Sequence, residues 1–296
     1  MLSPLDKKWR NVERNRLIMY NIGIIGNGFV GSAIASGFSL HAEIKIFDSD
    51  KRRSTHGFSE TINNSDFVFV CVPTPMNMSE GGKIDLSIME SVFDNISAEL
   101  ANKNAIFIIK STTVPGSVES LVDRHPDLNI VYSPEFLTER SARLDFINAS
   151  RIVLGGEYSL LHRVEALFRS RFPHKKIIKT DTTTAQFIKY MANCFFATKV
   201  SFMNEMKQAA DKLDVNWQQA VAGLVTDGRV GNSHLDVPGH DGSLGFGGKC
   251  FPKDLNGFIS LFDSCGVDPK VMKAVWEKNL EVREEHDWKD IKGAVS

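Results

Sequence analysis

Three glycines with the spacing G-x-G-x-x-G directly follow a short apolar run near the start of the chain. The run covers residues 22–25, and the glycines are Gly26, Gly28 and Gly31. Small and apolar residues come next, as in a helix packed on a sheet, and a second apolar run ends at Asp48, twenty residues after Gly28. This order of strand, glycine loop, helix, strand and acid predicts a βαβ unit of the Rossmann type, whereas an isolated glycine motif indicates no more than a tight turn.

Each residue of this loop has a separate role in binding a dinucleotide. Gly26 permits the tight turn, Gly28 lets the backbone approach a pyrophosphate, and Gly31 allows the helix to pack closely on the strand. The pyrophosphate is expected at the start of the helix, where Phe29 and Val30 carry N–H groups and the helix dipole favours negative charge. These five residues form the predicted cofactor loop.

The acid at the end of the second strand indicates which dinucleotide is bound. A carboxylate at Asp48 can accept hydrogen bonds from the adenosine ribose hydroxyls and repels a 2′-phosphate, which favours NAD over NADP. Arg52 and Arg53 follow closely and keep NADP open as the alternative. NAD is the predicted cofactor.

Four further apolar runs continue the α/β pattern. They cover residues 67–72, 105–109, 129–132 and 151–154, and helical stretches separate them. Nearly continuous apolar runs of this kind predict a doubly wound parallel sheet with both faces covered. In such sheets, ligands bind beyond the carboxyl ends of the strands. The residues that follow these ends are therefore site candidates, namely Pro73, Thr74, Thr112 and Glu135.

The charge balance and the cysteines exclude several classes of protein. The chain has 35 Lys and Arg against 36 Asp and Glu, a net charge of −1, which gives no basic surface for nucleic acid or an anionic membrane. No apolar run approaches the roughly 18 residues that a membrane span requires. The four cysteines are widely spaced and include no C-x-x-C pair, which disfavours a disulfide scaffold or a zinc ribbon. We expect a cytoplasmic protein without nucleic-acid or membrane partners.

Three later segments carry a more specific signal. They are SPEFLTERSARLDF, AQFIKYMANCFFATKVSFMNEM and GSLGFGGKCFPKDL. In each, two polar residues stand four apart: Glu135 and Glu139, Lys189 and Asn193, Cys250 and Asp254. Together with CVPTP and KST, these segments resemble the UDP-glucose/GDP-mannose dehydrogenase family from about residue 19 to about residue 280.

The resemblance implies an oxidation of the C6 hydroxyl of a nucleotide sugar to a carboxylate, UDP-glucose to UDP-glucuronate, with two NAD and one water. The intermediate aldehyde must be held while the cofactor is exchanged, and a thiolate at Cys250 would hold it as a thiohemiacetal and then as a thioester. The glycines before it, including Gly247, bring backbone close to the substrate. The other cysteines, Cys71, Cys194 and Cys265, are interpreted as small buried hydrophobic residues.

The resemblance also assigns roles to polar residues around the thiol. Lys189 and Asn193 would bind the substrate and stabilise oxyanions that develop at C6. Thr112 and Asp254 would position a water, and Glu135 would act on it as a general base. Without the resemblance, Lys189 and Asn193 could be solvated residues of a helix, and Asp254 could be the N-cap of the following helix.

Two further residues are assigned to the substrate by the same resemblance. Glu139 would contact the sugar, and Arg229 would reach the nucleotide sugar across a dimer interface, since a guanidinium pairs well with a diphosphate. A surface acid and a surface arginine are the alternatives. His234 and His240 lie near Arg229 but make a weak metal signal, so no metal site is predicted.

The resemblance implies the domain organisation. Residues 19–181 are predicted to be an NAD-binding Rossmann domain and residues 182–296 an all-α central dimerisation domain, with residues 270–283 starting a long connecting helix. The C-terminal nucleotide-binding domain of usual members is expected to be absent. The basic segment 1–18 has no apolar h-region, so it is predicted to be an extension and not a signal peptide.

Two other functions stay open at this stage. One is an NAD-binding module that needs a separate nucleotide-binding chain. The other is a two-electron dehydrogenase of the β-hydroxyacid type, which would not require Cys250. The G-F-G-G-x-C run resembles members of the family that act on hexoses.

Overall fold

A computed structural model describes residues 19–291 and 293–295, so the predicted extension 1–18 lies outside the described residues. The described chain divides into two compact units. Unit 1 comprises residues 19–72, 93–111 and 119–185, and unit 2 comprises residues 73–92, 112–118, 186–291 and 293–295. The predicted boundary between residues 181 and 182 stays a prediction.

Unit 1 contains a seven-stranded sheet with the strand order β2-β1-β3-β6-β7-β8-β9. In chain order, the strands of the protein are β1 (Tyr20–Ile25), β2 (Ala42–Phe47), β3 (Phe67–Val70), β4 (Met76–Asn77), β5 (Lys83–Ile84), β6 (Ile106–Ile109), β7 (Asn129–Tyr132), β8 (Arg151–Gly155) and β9 (Lys176–Thr180). The strand order changes direction beside β1, since β2 and β3 flank it. Ligands bind at such a switch point, beyond the carboxyl ends of the strands.

The helices are α1 (Phe29–Phe38), α2 (Phe58–Asn63), α3 (Ser87–Glu99), α4 (Ser117–Arg124), α5 (Ala142–Asn148), α6 (Tyr158–Arg171), α7 (Thr182–Lys212), α8 (Trp217–Leu224), α9 (Cys250–Ser264) and α10 (Lys270–Val282). On one face of the sheet, Phe38 of α1, Phe146 of α5 and Phe168 of α6 belong to the same buried cluster as Phe69 of β3. On the other face, Phe93 of α3 contacts Phe107 of β6 edge to face. The predicted α/β architecture with helices on both faces is thereby confirmed.

The direction of the last two strands differs from the prediction of a parallel sheet. β1, β2, β3, β6 and β7 pair in parallel, but β7 and β8 are antiparallel, and β9 follows the direction of β8. An apolar run that is buried on both faces has the same composition in either direction. The direction of β8 is therefore not encoded in its own residues.

Unit 2 is mainly helical, as predicted. Tyr190 and Cys194 of α7, Leu255 and Phe258 of α9 and Val275 of α10 form its main buried cluster. A small antiparallel hairpin of β4 and β5, absent from the sequence-based prediction, packs through Met76 and Ile84 on Trp288.

Helix α10 ends at Val282, one residue before the predicted end of the segment. The chain then forms a short 3-10 helix, Asp287–Lys289, and does not continue as a long connecting helix. The later residue Ala294 accepts a hydrogen bond from the Met76 N–H at 2.9 Å. Within the described residues, no helix is long and apolar enough to cross a membrane.

Candidate active site

The glycine loop after β1 has the geometry that a dinucleotide requires. Gly26 has φ +92°, and a Cβ there would lie 2.6 Å from the carbonyl oxygen of Cys71. A Cβ on Gly31 would collide with the carbonyl of Gly26, so this glycine lets α1 pack against the loop. A Cβ on Gly28 would meet nothing within 4 Å, so the space beside it is open to a ligand.

The start of α1 fits an anionic group. Gly28 is the N-cap and supplies no side-chain cap, so the first N–H groups of the helix, at Phe29 and Val30, point towards a position that an anion can occupy. Asp48 accepts hydrogen bonds from the N–H groups of Asn27 at 2.7 Å and Asp50 at 2.8 Å. These bonds fix its carboxylate beside the loop and leave lone pairs for ribose hydroxyls.

Arg52 and Arg53 kept NADP open as the alternative, and both pair with Asp50. Arg53 Nε lies 3.9 Å from its carboxylate, and Arg52 is held more closely. Its Nε and Nη2 atoms donate to the two carboxylate oxygens of Asp50 at 3.0 and 2.8 Å. The described residues of the loop therefore fit NAD, with an acid and not an arginine next to the ribose position.

A buried polar cluster follows β6 and β7 in unit 1. Glu135 is 6% exposed, and its Oε2 accepts the Leu137 N–H at 2.5 Å. Lys110, which the sequence analysis did not select, is 5% exposed and donates to the hydroxyl of Ser133 at 3.3 Å and the carbonyl of Pro134 at 3.1 Å. Lys110 could have been selected from the sequence, since a lysine directly after an apolar strand lies at the ligand-binding edge of the sheet.

The thiol of Cys71 lies beside this cluster. Burial raises its pKa to about 12; the positive charge of Lys110 opposes this shift, and the negative charge of Glu135 adds to it. A thiol that stays protonated is a poor nucleophile, which agrees with the structural role predicted for Cys71.

In unit 2, Asp254 is the centre of a buried hydrogen-bonded network. It is 1% exposed, and its two carboxylate oxygens accept hydrogen bonds from Asn193 Nδ2 at 2.5 Å and from Lys253 Nζ at 2.6 Å. Asn193 and Lys253 are themselves 6% and 5% exposed. The structure thus brings Asn193 and Asp254, which are 61 residues apart in the chain, into direct contact.

The N-cap alternative for Asp254 was wrong. Helix α9 begins at Cys250, and its N-cap is Lys249, so Asp254 lies in the second turn of the helix. Lys253, like Lys110, was not selected from the sequence as a site residue. Adjacent residues of a helix do not normally face each other, so neither this ion pair nor its burial could be predicted from the spacing.

Cys250 occupies the first position of α9 and is half-buried. It precedes Asp254 by four residues, so the two side chains share one face of the helix. On α7, Lys189 precedes Asn193 in the same way, and its side chain is buried, with 2% exposure. A thiol at a helix N-terminus beside buried polar groups has the environment of a nucleophile.

The remaining cysteines differ from one another. Cys194 is buried next to Asn193, and burial together with the charge of Asp254 raises the pKa of its thiol. Cys265 is exposed, so its interpretation as a buried hydrophobic residue was wrong. It follows the end of α9, where the helix leaves the interior.

The segments around Pro73 and Thr112 meet within unit 2. Thr74 is 5% exposed and donates its hydroxyl to the carbonyl of Thr112 at 2.8 Å. The predicted candidates Pro73, Thr74 and Thr112 are thus neighbours in space as well as strand-end residues.

Arg229 and Glu139 lie on exposed segments. The Arg229 side chain is 89% exposed and forms an ion pair with Asp227 at 2.6 Å. Its loop is tied to α7 because Lys199 Nζ donates to the carbonyls of Gly231 at 2.9 Å and Ser233 at 2.5 Å. Glu139 is exposed at the start of a 3-10 helix, Glu139–Ser141.

The two histidines of this region have no metal-like surroundings. His234 stacks on the ring of Phe196 with centroids 4.3 Å apart, and His240 is exposed. Over the described part of the chain, no group of three or more His, Cys, Asp and Glu side chains is placed to hold a metal ion.

Two family models match this chain. The NAD binding domain of the UDP-glucose/GDP-mannose dehydrogenase family matches residues 45–170, and the central domain of the same family matches residues 183–281. The first match includes Asp48, and NAD is the cofactor of this domain.

Individual relatives agree with these matches. The UDP-glucose 6-dehydrogenase of Rickettsia conorii is 31% identical over 297 residues, which cover 88% of this chain and 67% of that protein. The enzyme of the same name from Bacillus subtilis is 32% identical over 238 residues, covering 77% of this chain and 49% of that protein. The solved structure of a UDP-glucose dehydrogenase from Pyrobaculum islandicum has a TM-score of 0.79 at 25% identity and covers 90% of this chain and 69% of that one.

This chain therefore spans between about half and about two thirds of the length of these relatives. The two family models together include Asp48, the strand-end residues and the α7–α9 network. The chain belongs to the UDP-glucose/GDP-mannose dehydrogenase family, whose members are NAD-dependent nucleotide-sugar dehydrogenases.

Proposed function

We propose that this chain oxidises the C6 hydroxyl of UDP-glucose to the carboxylate of UDP-glucuronate through a covalent intermediate on Cys250. The observation that carries the proposal is the buried Asn193–Asp254–Lys253 network one helical turn after a half-buried thiol at a helix N-terminus. A two-electron dehydrogenase has no need for a nucleophile in that position.

The proposed reaction has three stages at one carbon, namely two oxidations and a hydrolysis. When bound, NAD accepts the hydride that leaves C6 in each of the two oxidations. The first oxidation gives an aldehyde, and the Cys250 thiolate adds to its carbon to form a thiohemiacetal. Loss of a proton from oxygen and of the second hydride from carbon gives a thioester. Water then adds to the thioester carbon, and the carboxylate and the Cys250 thiol are released.

Lys189 and Asn193 stabilise the negative charge that develops on the C6 oxygen. Asn193 uses one N–H for Asp254, which leaves its second N–H for the substrate oxygen. Lys189 supplies a positive charge from a buried position, where electrostatic interactions are stronger than in water. Donors fixed before the reaction need no reorganisation as the oxyanion forms.

Three residues position and activate the water that hydrolyses the thioester: Asp254, Thr112 and Glu135. Each Asp254 oxygen already accepts one hydrogen bond and retains a lone pair for a water proton. The Thr112 hydroxyl donates to the same water in this proposal, and Glu135 accepts its proton as the general base. Lys253 pairs with Asp254 at 2.6 Å and so holds the carboxylate in its place beside this water.

The choice of UDP-glucose rests on the relatives, which are named for that substrate. Glu139 and Gly247 contact the sugar in this proposal, and Arg229 binds the diphosphate. The exposure of Arg229 supports this assignment, since a guanidinium that projects from its own chain can reach a site on a second copy.

We also propose that the protein is a cytoplasmic homodimer that joins through α7. One face of this helix carries exposed apolar side chains at a helical spacing: Phe187, Met191, Phe195, Phe202 and Met206. Contiguous exposed apolar surface of this kind is typical of an interface. Light scattering of the purified protein tests the dimer, and a Phe195→Glu, Phe202→Glu variant should be monomeric.

The experiment that tests the proposed reaction measures NADH released per nucleotide sugar consumed. With UDP-glucose we expect two NADH per sugar, whereas a β-hydroxyacid-type oxidation would release one. Cys250→Ser should abolish turnover, and Cys265→Ser, which alters an exposed thiol, should leave it unchanged. GDP-mannose and UDP-N-acetyl sugars are compared in the same assay. Absence of NADH with every sugar, or a Cys250→Ser variant with full activity, would overturn the proposal.

A further inference from the structure

The loop that leads into Cys250 is held by two buried asparagines. Asn204 of α7 accepts the Gly245 N–H at 3.1 Å. Asn279 of α10 is 0% exposed and brackets Phe246, since its Oδ1 accepts the Phe246 N–H at 2.6 Å and its Nδ2 donates to the Phe246 carbonyl at 3.0 Å. These bonds fix the loop four residues before the thiol.

An ionic cluster holds the same loop from the end of α10. Arg283 is 5% exposed, and its Nη2 contacts Asp241 at 2.9 Å and Asp287 at 3.2 Å. The opposite side of the guanidinium donates from Nη1 to the Leu244 carbonyl at 3.3 Å. Asp287 in turn accepts the Gly248 N–H at 2.8 Å, two residues before Cys250. We call Asp241, Arg283 and Asp287 the loop clamp.

The loop and the clamp fit each other closely. A Cβ on Gly247 would collide with the guanidinium of Arg283 and the carboxylate of Asp287. Gly245 has φ +67°, a conformation that L side chains rarely adopt, and a Cβ there would collide with Asn279. The glycines before Cys250 are therefore required for close packing against the clamp and Asn279, as well as for the approach of a substrate.

A buried arginine that is paired with two acids adds little net stability to a fold. Desolvation of such charges often cancels their attraction, and apolar side chains of similar volume can stabilise a fold equally well. What the cluster provides is a fixed geometry, because its hydrogen bonds are directional and end on particular backbone groups of the loop. The backbone at Gly248 sets where α9 starts and thus where the Cys250 Sγ points.

We propose that Arg283, acting through Asp241, Asp287 and the backbone of residues 244–248, is a positioning residue for the Cys250 thiol. The inference rests on the proposed role of Cys250 as the nucleophile. With the clamp in place, Cys250 stays at the N-terminus of α9, where the helix dipole favours the thiolate. Without it, the thiol samples other orientations, and both its reactivity and the rate of turnover fall.

The test measures the reactivity of the thiol directly, without any sugar. The purified full chain and its variants are treated with iodoacetamide, and peptide mass spectrometry gives the alkylation rate of Cys250 as a function of pH. Cys265 is exposed and serves as the reference in the same molecule. We expect Arg283→Met to slow alkylation of Cys250 about tenfold relative to Cys265 and Arg283→Lys to restore part of it, because iodoacetamide reacts with the thiolate, which is favoured only while the thiol stays at the helix N-terminus.

The control is another cation of α10. Lys273 pairs with Asp263 at 3.1 Å on the surface, and its side chain is 44% exposed. Lys273→Met should leave the Cys250 rate and its pH profile unchanged. If Arg283→Met fails to fold, Asp287→Ala removes the acceptor of the Gly248 N–H and should slow Cys250 alkylation about threefold, a smaller loss because Arg283 and Asp241 remain paired.

An unchanged ratio of Cys250 to Cys265 alkylation in a folded Arg283→Met or Asp287→Ala variant would overturn the inference. The outcome is independent of the proposed function. A wild-type protein that reduces no NAD with any sugar would refute the proposed reaction, yet the alkylation ratio would still show whether the clamp positions the thiol.

Discussion

The interiors of the two units differ in what they bury. The sheet of unit 1 is covered by aromatic and aliphatic side chains, and strands β3 and β6 are buried along their whole length. The buried charges Lys110 and Glu135 of this unit lie beyond the strand ends, at the edge where ligands bind. Helices α7 and α9 of unit 2 bury two lysines, an asparagine and an aspartate: Lys189, Asn193, Lys253 and Asp254. Burial of apolar side chains stabilises a fold without specific partners, whereas a buried charge that loses its partner strongly destabilises the fold. Such charges cluster at functional sites, so the contrast separates the scaffold from the chemistry.

The largest effect that this contrast predicts is at Asp254. Asp254→Ala leaves Lys253 buried without its acid, which should lower the free energy of unfolding by about 3–5 kcal/mol. Asp263→Ala on the same helix breaks the exposed pair with Lys273 and should cost far less, because solvent screens the charges of an exposed pair. Urea unfolding of both variants measures the difference. Equal losses would mean that the α7–α9 network is not a buried charge site.

A substitution in the core of unit 1 should separate stability from activity. Leu167 of α6 is 0% exposed, and Leu167→Ala should lower the free energy of unfolding by about 2–4 kcal/mol through lost burial and a cavity. Turnover per folded molecule should stay the same. Leu40→Ala, at a side chain that is 86% exposed, is the control and should change neither quantity. A large loss of turnover in folded Leu167→Ala would contradict the claim that the apolar core of unit 1 contributes to stability and not to catalysis.

The glycine loop allows a test on cofactor binding alone. Gly28→Ala places a methyl group in open space beside α1, so the melting temperature should not change. The same methyl group should obstruct the pyrophosphate and weaken NAD binding about tenfold, measured by calorimetry or fluorescence titration. Gly57→Ala is the matched control, since Gly57 is also a helix N-cap with open space around its Cβ position. Equal NAD affinities of the two variants would contradict the assigned cofactor loop.

The smallest expected effect concerns the loop clamp at low pH. Burial alone would raise the pKa of Asp241, but hydrogen bonds from the Ser243 N–H and the Arg283 guanidinium outweigh it and hold the pKa below its ordinary value. Asp241 therefore stabilises the fold above the ordinary aspartate pKa, and this contribution disappears as the pH falls through the lower folded pKa. The difference in unfolding free energy between wild type and Asp241→Asn should shrink over that range. If this difference in unfolding free energy grew on acidification, it would contradict the lowered pKa of Asp241.

Local signals predicted much of the molecule. The first two apolar runs, the glycine spacing and Asp48 lie within some thirty residues of each other, and each constrains the backbone on its own. The segment around Lys189 was also correctly placed on a helix. The start of the next catalytic helix was not, since α9 already begins at Cys250 and Asp254 lies inside it.

Contacts between distant residues could not be predicted in the same way. The direction of β8 depends on its neighbours in the sheet, and the β4–β5 hairpin depends on packing against Trp288. The burial of Lys253 and Arg283 is likewise a product of tertiary structure, because neither residue lies in an apolar run. Charged residues are predicted at the surface unless their partners are known.

The most direct test of the account is to look for the covalent intermediate. Glu135→Gln should slow hydrolysis of the thioester, so mixing this variant with UDP-glucose and NAD, followed by an acid quench, should leave the sugar nucleotide attached to the peptide that contains Cys250. The account predicts this added mass on Cys250 and on no other cysteine, together with NADH release. Formation of NADH while the Cys250 peptide keeps its unmodified mass, in both wild type and Glu135→Gln, would contradict it.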